Sequence, residues 1–377
     1  MKKIKILHVL QSMDIGGIET YIMNMYRSID REKYSFDFML WKEESSFYED
    51  EIKSLGGKIY KIKFSKNPFA NMANFKNLLE NANYDVIHCH TLFYSGFFAC
   101  ASHFANVKTF ITHIHSKSDN KKNNFTRKIY KIIMRRLILK YSNFLCACSP
   151  EAGKYVFGKT KKEVKIINDY IDTDKYLFVN NSKVEKIKRK YRIDQDDFVI
   201  GTVGRLSIEK NQIYIIKIVK KLMENQRTKR NIKCLFVGDG PERNKLEQEI
   251  NELGIKDKFI FVGNVSDVEN YLKCFDIFLF PSIYEGFGMA LLEAQASGIK
   301  CIASDNVPKS TNMELGLVKY LSTKDENIDE WIESINNMKK RIISREKIKK
   351  RIVEKGFDVS NSIDIVERMY LGDGYEE

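Results

Sequence analysis

No apolar run in the 377 residues reaches the roughly 18 that a helix needs to cross a bilayer, so the chain does not read as a membrane-spanning protein. Cysteine is scarce and scattered. Seven is an odd number, which argues against a disulfide framework and suits reduced thiols in the cytoplasm. Cys146-Ala-Cys148 has no second cysteine pair at zinc spacing and reads as buried strand sequence. Internal repeats and low-complexity tracts are missing, which excludes a solenoid. Gly238-Asp-Gly240-Pro241 lacks the third glycine and the later acid of a dinucleotide fingerprint, an argument against a dehydrogenase.

What is present supports a folded protein of some size. Hydrophobic residues make up 43% of the chain and aromatics 12%, and the length is comfortable for two domains. A net charge of +13 at pH 7 points to anionic partners: nucleic acid, acidic lipid or phosphorylated small molecules. The N-terminal MKKIKILHVLQ imitates a signal peptide, but its apolar core is short and holds Lys5 and His8, so it reads as a first buried strand.

Short apolar strands alternate with helical patterns, the mark of α/β units around parallel sheets. In the first half, strands are expected at Ile4–Leu10, Phe36–Leu40, Lys58–Ile62, Val86–His90, Thr109–His113 and Asn143–Cys148. In the second half they are expected at Phe198–Val203, Lys233–Val237, Lys258–Phe261, Ile277–Phe280 and Lys300–Ala303. The polar segment Ile171–Asp197 separates the halves, with Asp172–Asn181 as linker and a helix over Lys183–Tyr191. The expected organisation is an N-terminal Rossmann-like domain over residues 1–180 and a second over 181–356, facing each other across a cleft. A helical segment, 357–377, is expected to pack back on the first domain. Ligands of such sheets bind at strand C-terminal ends.

The stretch SIYEGFGMALLEAQASG, Ser282 to Gly298, follows one such end. Gly286 and Gly288 allow a tight turn into a helix starting near Met289, which aims free N–H groups and the positive helix end at the mouth of a cleft. Phosphate would repel Glu285 and Glu293, so both acids suit sugar or ribose hydroxyls. As helix-start acids they would only serve the dipole. A second strand end, Phe198 to Asn211, carries Arg205 and Lys210 just past a glycine turn. Arg grips phosphate oxygens in a bidentate way and Lys adds a point charge, so the pair can stabilise a diphosphate leaving group without a metal. At the N-terminus, Gly16-Gly17 would let backbone amides approach a phosphate closely.

The combination of GG-x-E, GR-x4-KN, VGDGP and PS-x-YEGFG-x4-E closely resembles glycosyltransferase family four, from the first strand to about Leu321. That resemblance implies a GT-B fold and retaining, metal-independent sugar transfer from a nucleotide diphosphate sugar, UDP-linked, with no cofactor. It implies that Arg205 and Lys210 bind the donor diphosphate, Glu285 the donor sugar and Glu293 the ribose hydroxyls. Gly16, Gly17, Gly286, Phe287 and Gly288 line the donor, and Gly263, Asn264 and Val265 meet the base. His115, or His113 in its place, corresponds to the family histidine on the acceptor side. CIASDNVPKSTNMELGLVKYLS resembles the bacterial exopolysaccharide and capsule branch, with Ser304, Asp305 and Pro308 replacing the commoner GG-x-x-E loop. The linker departs from the usual Asn-Gly-Ile-Asp or Asn-Ala-Ile-Asp and reads Asp169-Tyr-Ile-Asp172.

The acceptor implied is a growing lipid-linked exopolysaccharide or capsule glycan. The alternatives are a small soluble acceptor, or a sugar-nucleotide epimerase on the same fold. Nucleic-acid binding is suggested by charge alone, and no recognisable module supports it. Asp172-Thr-Asp174 has the form of a metal-binding D-x-D but falls in the linker rather than at a strand end. His88-Cys-His90 and His113-Ile-His115 invite zinc, yet each pair alone lacks further ligands, so both are expected to be structural or to line the acceptor.

One segment bears on location. Asn120–Pro150 contains no acid but holds Lys121, Lys122, Arg127, Lys128, Lys131, Arg135, Arg136 and Lys140. On a helical wheel Ile129, Ile132, Ile133 and Leu137 share a face and Arg127, Lys128, Lys131 and Arg135 gather opposite, with Arg136 and Lys140 intruding on the apolar side as snorkelling chains do; an ordinary surface helix would dock by its apolar stripe. The Lys121–Lys140 segment is therefore expected to rest its basic face on the anionic inner surface of the cell membrane, making the protein cytoplasmic and peripheral.

Overall fold

The computed structural model describes residues 3–65, 67–119, 124–224, 231–337 and 342–372. The chain forms two compact units, one of Met1–Tyr170 with Val359–Glu377 and one of Ile171–Asp358.

Unit 1 is built on seven strands: β1 (Ile4–Leu10), β2 (Tyr34–Leu40), β3 (Ile59–Lys61), β4 (Val86–Cys89), β5 (Thr109–Ile114), β6 (Phe144–Ala147) and β7 (Val164–Ile166). They pair in the order β3-β2-β1-β4-β5-β6-β7, every ladder parallel. Six of these strands coincide with the expected positions to within a few residues. β7, three residues long with one of them exposed, was not expected. A sheet covered by helices on both faces needs near-continuous apolar strands, and β1 and β5 are buried along most of their length.

Unit 2 has six strands: β8 (Phe198–Val203), β9 (Ile232–Val237), β10 (Phe259–Gly263), β11 (Ile277–Phe280), β12 (Lys300–Ser304) and β13 (Val318–Leu321). Their order is β10-β9-β8-β11-β12-β13, again parallel throughout. Both units are thus doubly wound, Rossmann-like sheets. The strand order reverses between β1 and β4 in unit 1 and between β8 and β11 in unit 2, and at such switch points the loops diverge and leave a crevice.

The crossing from unit 1 to unit 2 falls at Tyr170/Ile171, ahead of the expected boundary at 180. Asp172–Asn181 is not a free linker, because the short helix Thr173–Leu177 buries Tyr176 and Leu177 in the core of unit 2. The chain returns after Asp358, where Ile171 N–H donates to Phe357 O at 3.0 Å and Thr173 N–H to Asp358 Oδ2 at 3.2 Å. The closing helix Val359–Leu371 then buries Val366, Met369 and Tyr370 in the core of unit 1.

Candidate active site

The loops after β8 and β11 in unit 2 are tied together. Ile283 N–H donates to Glu209 O at 2.8 Å, and Asn211 Nδ2 donates to Pro281 O at 3.2 Å. Asn211 adopts the left-handed conformation that closes the short turn Ile208–Lys210. The result brings Lys210 into an ion pair with Glu285, whose Oε1 also accepts from Ser282 Oγ at 2.8 Å. Lys210 Nζ lies 5.3 Å from the centre of the Phe280 ring, a cation–π contact that holds the stem against the strand end. Arg205, two residues past β8, is exposed, and its backbone carbonyl accepts from Gln212 Nε2 at 3.0 Å.

Two glycines of the VGDGP motif have a packing role. A Cβ on Gly238, at φ +129°, would fall 2.2 Å from Gly204 O, and one on Gly240 would fall 2.3 Å from Leu206 O. The loop carrying Arg205 can lie where it does only because the neighbouring loop has no side chains there. Gly238 N–H also donates to Gly263 O at 2.9 Å, which positions the Gly263-Asn264-Val265 turn after β10.

Gly288, at φ +101°, precedes the helix Met289–Ala296 and turns the chain into it, while Gly286 is exposed just before. Phe287 packs against Phe357, ring centres 5.0 Å apart. Glu293 lies inside the helix and is only 7% exposed. Burial pushes its carboxyl up to about 7, opposed by a hydrogen bond from Tyr176 and by the Lys175 charge. Tyr176 O–H donates to Glu293 Oε1 at 2.9 Å. Ser282 belongs to the PS-x-YEGFG motif but was given no role of its own, and Tyr176, 117 residues from Glu293, carries no local signal.

In unit 1, Gly16 is the N-cap of helix Gly17–Ser28, and a Cβ on Gly17 would meet nothing within 4 Å. A Cβ on Gly16 would instead fall 2.3 Å from Glu19 Oε2, so the glycine makes room for that carboxyl to fold over the helix start. Burial pushes the Glu19 carboxyl up to about 7.

His115 is placed differently from the sequence expectation of an acceptor-lining group. Its side chain is 1% exposed, and both ring nitrogens are engaged: Nδ1 with Asp169 Oδ1 at 3.2 Å and Nε2 with His90 Nδ1 at 3.0 Å. His113 is also fully buried, with Nδ1 3.2 Å from His88 Nε2. The view that each His-x-His pair lacks further partners is overturned. The register pairs His8 with His88 across β1 and β4, and the two-residue period brings His90, His113 and His115 to the same face, so five histidines gather in one cluster. Burial holds His8, His88, His90 and His113 well below the usual imidazole range.

The D-x-D acids have local structural partners. Asp172 caps helix Thr173–Leu177, and Asp174 pairs with Lys349 at 2.6 Å. Ser304 is buried at the end of β12, and the Asp305 side chain is exposed.

Helix Phe125–Tyr141 is anchored by buried Met134 and Ile138 with Leu137 packed beside them, while the isoleucines of the wheel's apolar stripe face outward. Phe125, Ile129, Ile132 and Ile133 are 76, 42, 48 and 47% exposed. Arg127 and Lys131 turn inward to Asp119, and Arg135 donates to Val156 O and Tyr155 O. The carbonyls at the end of helix Pro150–Phe157 are natural acceptors for a cation, and that interaction orients the helix. Lys128, Arg136 and Lys140 remain on the exposed side. Lys121 and Lys122 lie outside the described residues. No described helix is long and apolar enough to cross a membrane.

Comparison with known proteins agrees with this geometry. Residues 183–355 match the family described as glycosyl transferases group 1, and residues 15–175 match glycosyltransferase family 4. The chain is 33% identical to EpsF of Bacillus subtilis, named as a glycosyltransferase, over 97% of this chain and 96% of that one. It is 27% identical to the capsular polysaccharide biosynthesis glycosyltransferase CapH of Staphylococcus aureus, over 98% and 99% of the two chains. An Escherichia coli UDP-Gal:alpha-D-GlcNAc-diphosphoundecaprenol alpha-1,3-galactosyltransferase is 24% identical, covering 98% and 97%. Among solved structures, Anabaena HepE in complex with UDP and glucose superimposes with a TM-score of 0.73 at 18% identity, over 98% of this chain and all of that one.

Proposed function

The chain belongs to glycosyltransferase family four, with the GT-B fold and relatives in exopolysaccharide and capsule biosynthesis, and from that premise we propose what it transfers and where. The donor is a UDP-linked hexose or N-acetylhexosamine, and the acceptor is a growing lipid-linked glycan. Supporting this reading, the E. coli relative is named for a UDP-sugar donor and a lipid diphosphate acceptor, and HepE was solved with UDP and glucose.

The observation that carries the reading is the Lys210–Glu285 pair held by Ser282 at the switch point of unit 2. With donor present, the Lys210 ammonium and the Arg205 guanidinium move onto the diphosphate, where they stabilise the charge that grows as the glycosidic bond breaks. No metal is needed for that step. Glu285, released from Lys210, accepts hydrogen bonds from the donor sugar. Glu293 exchanges the Tyr176 hydroxyl for a ribose hydroxyl, a substitution of like for like. The sugar is transferred with retention of anomeric configuration.

The exposed Phe125/Ile129/Ile132/Ile133 stripe, flanked by Lys128, Arg136 and Lys140, rests on the anionic membrane leaflet that carries the acceptor. This proposal replaces the basic face read from the sequence with an apolar one edged by cations. Incubation of the purified protein with UDP-, GDP-, ADP- and dTDP-sugars tests the donor assignment. Slow hydrolysis confined to one UDP-sugar supports it; hydrolysis confined to another nucleotide refutes it.

A further inference from the structure

Five of the chain's six histidines meet in unit 1, and their hydrogen bonds have a direction. Asp169 as a carboxylate only accepts, so the proton of His115 sits on Nδ1 and its Nε2 presents a lone pair. Tyr370 Oη lies 2.8 Å from His88 Nδ1 and 3.4 Å from Met25 Sδ. His88 Nε2 lies 3.2 Å from His113 Nδ1, which leaves His113 Nε2 a buried nitrogen with no hydrogen-bond partner among the described residues. His90 is held on its far side by His8, Nε2 to Nδ1 at 3.2 Å, and its Nδ1 faces His115 Nε2 at 3.0 Å.

Three imidazoles are each gripped on one nitrogen by an outer partner; of their second nitrogens, His113 Nε2 has no hydrogen-bond partner among the described residues, and His90 Nδ1 and His115 Nε2 are bonded to each other. The outer partners are Asp169 for His115, His88 for His113 and His8 for His90. One ligand-capable atom from each of His90, His113 and His115 lies within 4.8 Å of the other two. Metal-bound histidines show this arrangement, with the non-ligating nitrogen fixed by a carboxylate or another acceptor. Zinc–nitrogen bonds of about 2.0–2.1 Å set neighbouring ligands about 3.3 Å apart in a tetrahedron. A hydrogen-bonded imidazole pair is close to that spacing before any ion arrives.

We propose that His90, His113 and His115 form a three-histidine site for a borderline divalent transition-metal ion, with zinc as its occupant. Imidazole donors suit zinc, copper, iron and nickel rather than magnesium or calcium, and the absence of a thiolate from the set disfavours copper(I). Protons balance without leaving the cluster. His90 gives up the proton on Nδ1 to bind the ion and carries one on Nε2 instead, donating it to His8 Nδ1. His8 in turn shifts its own proton to Nε2, an atom with no hydrogen-bond partner among the described residues. Asp169 supplies a negative charge to the ion's environment, and it stands where the usual linker pattern has Asn. The site belongs to unit 1, whereas Arg205 and Lys210 belong to unit 2, so the proposal is independent of how the donor diphosphate is neutralised.

The full-length protein, stripped with chelator and dialysed, is titrated with zinc chloride by calorimetry and its metal content is measured by mass spectrometry. Cobalt(II) is added to a parallel sample for its visible spectrum. One zinc per chain and the intense absorption bands of four-coordinate cobalt are expected. Asp169→Asn, which keeps all three ligands, should weaken zinc binding by about 10–100-fold. His113→Gln should abolish it, and if that core variant fails to fold, Asp169→Asn and the cobalt spectrum decide. His103→Gln, the one histidine outside the cluster, should change nothing. Wild-type protein that binds no zinc, equal affinity in Asp169→Asn, or loss of binding in His103→Gln would each overturn the site.

Discussion

Glu285 and Glu293 share one motif but meet different surroundings, and their variants should fail in different ways. Glu285 is paired with Lys210 at a strand end, and Glu293 is buried under Tyr176. Glu285→Gln should lower turnover far more than donor affinity, and Lys210→Ala should lower turnover roughly a hundredfold or more, the cost of losing one preorganised charge stabiliser. Glu293→Ala should chiefly weaken nucleotide binding, roughly tenfold to a hundredfold for a lost charged hydrogen bond of about 1.5–3 kcal/mol. Steady-state kinetics with separate donor titrations distinguish the two; equal effects on turnover would refute the division of labour. Glu293 also makes a pH prediction. Burial lifts its carboxyl from 4.5 to about 7, so between those values the unfolded chain has lost a proton that the folded chain keeps. Stability therefore falls as pH rises through that window and is level above it. Glu293→Gln should be more stable than the parent protein at pH 8 by urea unfolding, with the advantage gone near pH 4.5. An advantage that persists unchanged at pH 4.5 contradicts the burial argument. The two glutamates were legible because strand, glycine turn and helix follow one another within a dozen residues. The partners of His115 were not, since His90 and Asp169 lie 25 and 54 residues away in sequence.

Among the elements, helix Phe125–Tyr141 shows most plainly what periodicity can and cannot say. Its two faces were legible, but which one meets the protein was not. Apolar content alone favours burying the isoleucine stripe. The carbonyl acceptors at the end of helix Pro150–Phe157, together with Asp119, draw Arg127, Lys131 and Arg135 inward, and those partners come from other segments. Cosedimentation with vesicles should rise with anionic lipid and fall with salt, since exposed charges are screened over roughly 8–10 Å. Replacing Ile129, Ile132 and Ile133 with Ser should reduce binding about as much as replacing Lys128, Arg136 and Lys140 with Gln. Undiminished binding in the serine variant would show that the apolar stripe does not enter the bilayer. The sheets were legible in their long central strands. β7 and β13, of three and four residues at the sheet edges, were not expected, whereas the equally short edge strand β3 was.

At the scale of the whole molecule, the chain leaves unit 1 at Tyr170 and comes back at Val359. The last helix and its return to the first domain were expected, but its partners were not legible, because Val366, Met369 and Tyr370 meet residues such as Cys146, Met25 and His88 far back in the chain. Residues 171–358 expressed alone should unfold in one cooperative transition, while a chain ending at 358 should lose unit 1. Met369→Ala should cost about 2–5 kcal/mol, the usual range for emptying a core position. Unchanged unfolding of unit 1 without the helix would contradict that account. The central claim is that this protein moves a sugar from a nucleotide to a lipid-linked glycan using the charges after β8 and β11. The most direct measurement supplies radiolabelled UDP-sugars together with lipid-diphosphate-linked glycans and follows the label into organic solvent. The account predicts lipid-extractable product with one UDP-sugar and almost none with Lys210→Ala. Label that stays water-soluble as a converted nucleotide sugar or a small glycoside, or undiminished transfer by Lys210→Ala, would contradict it.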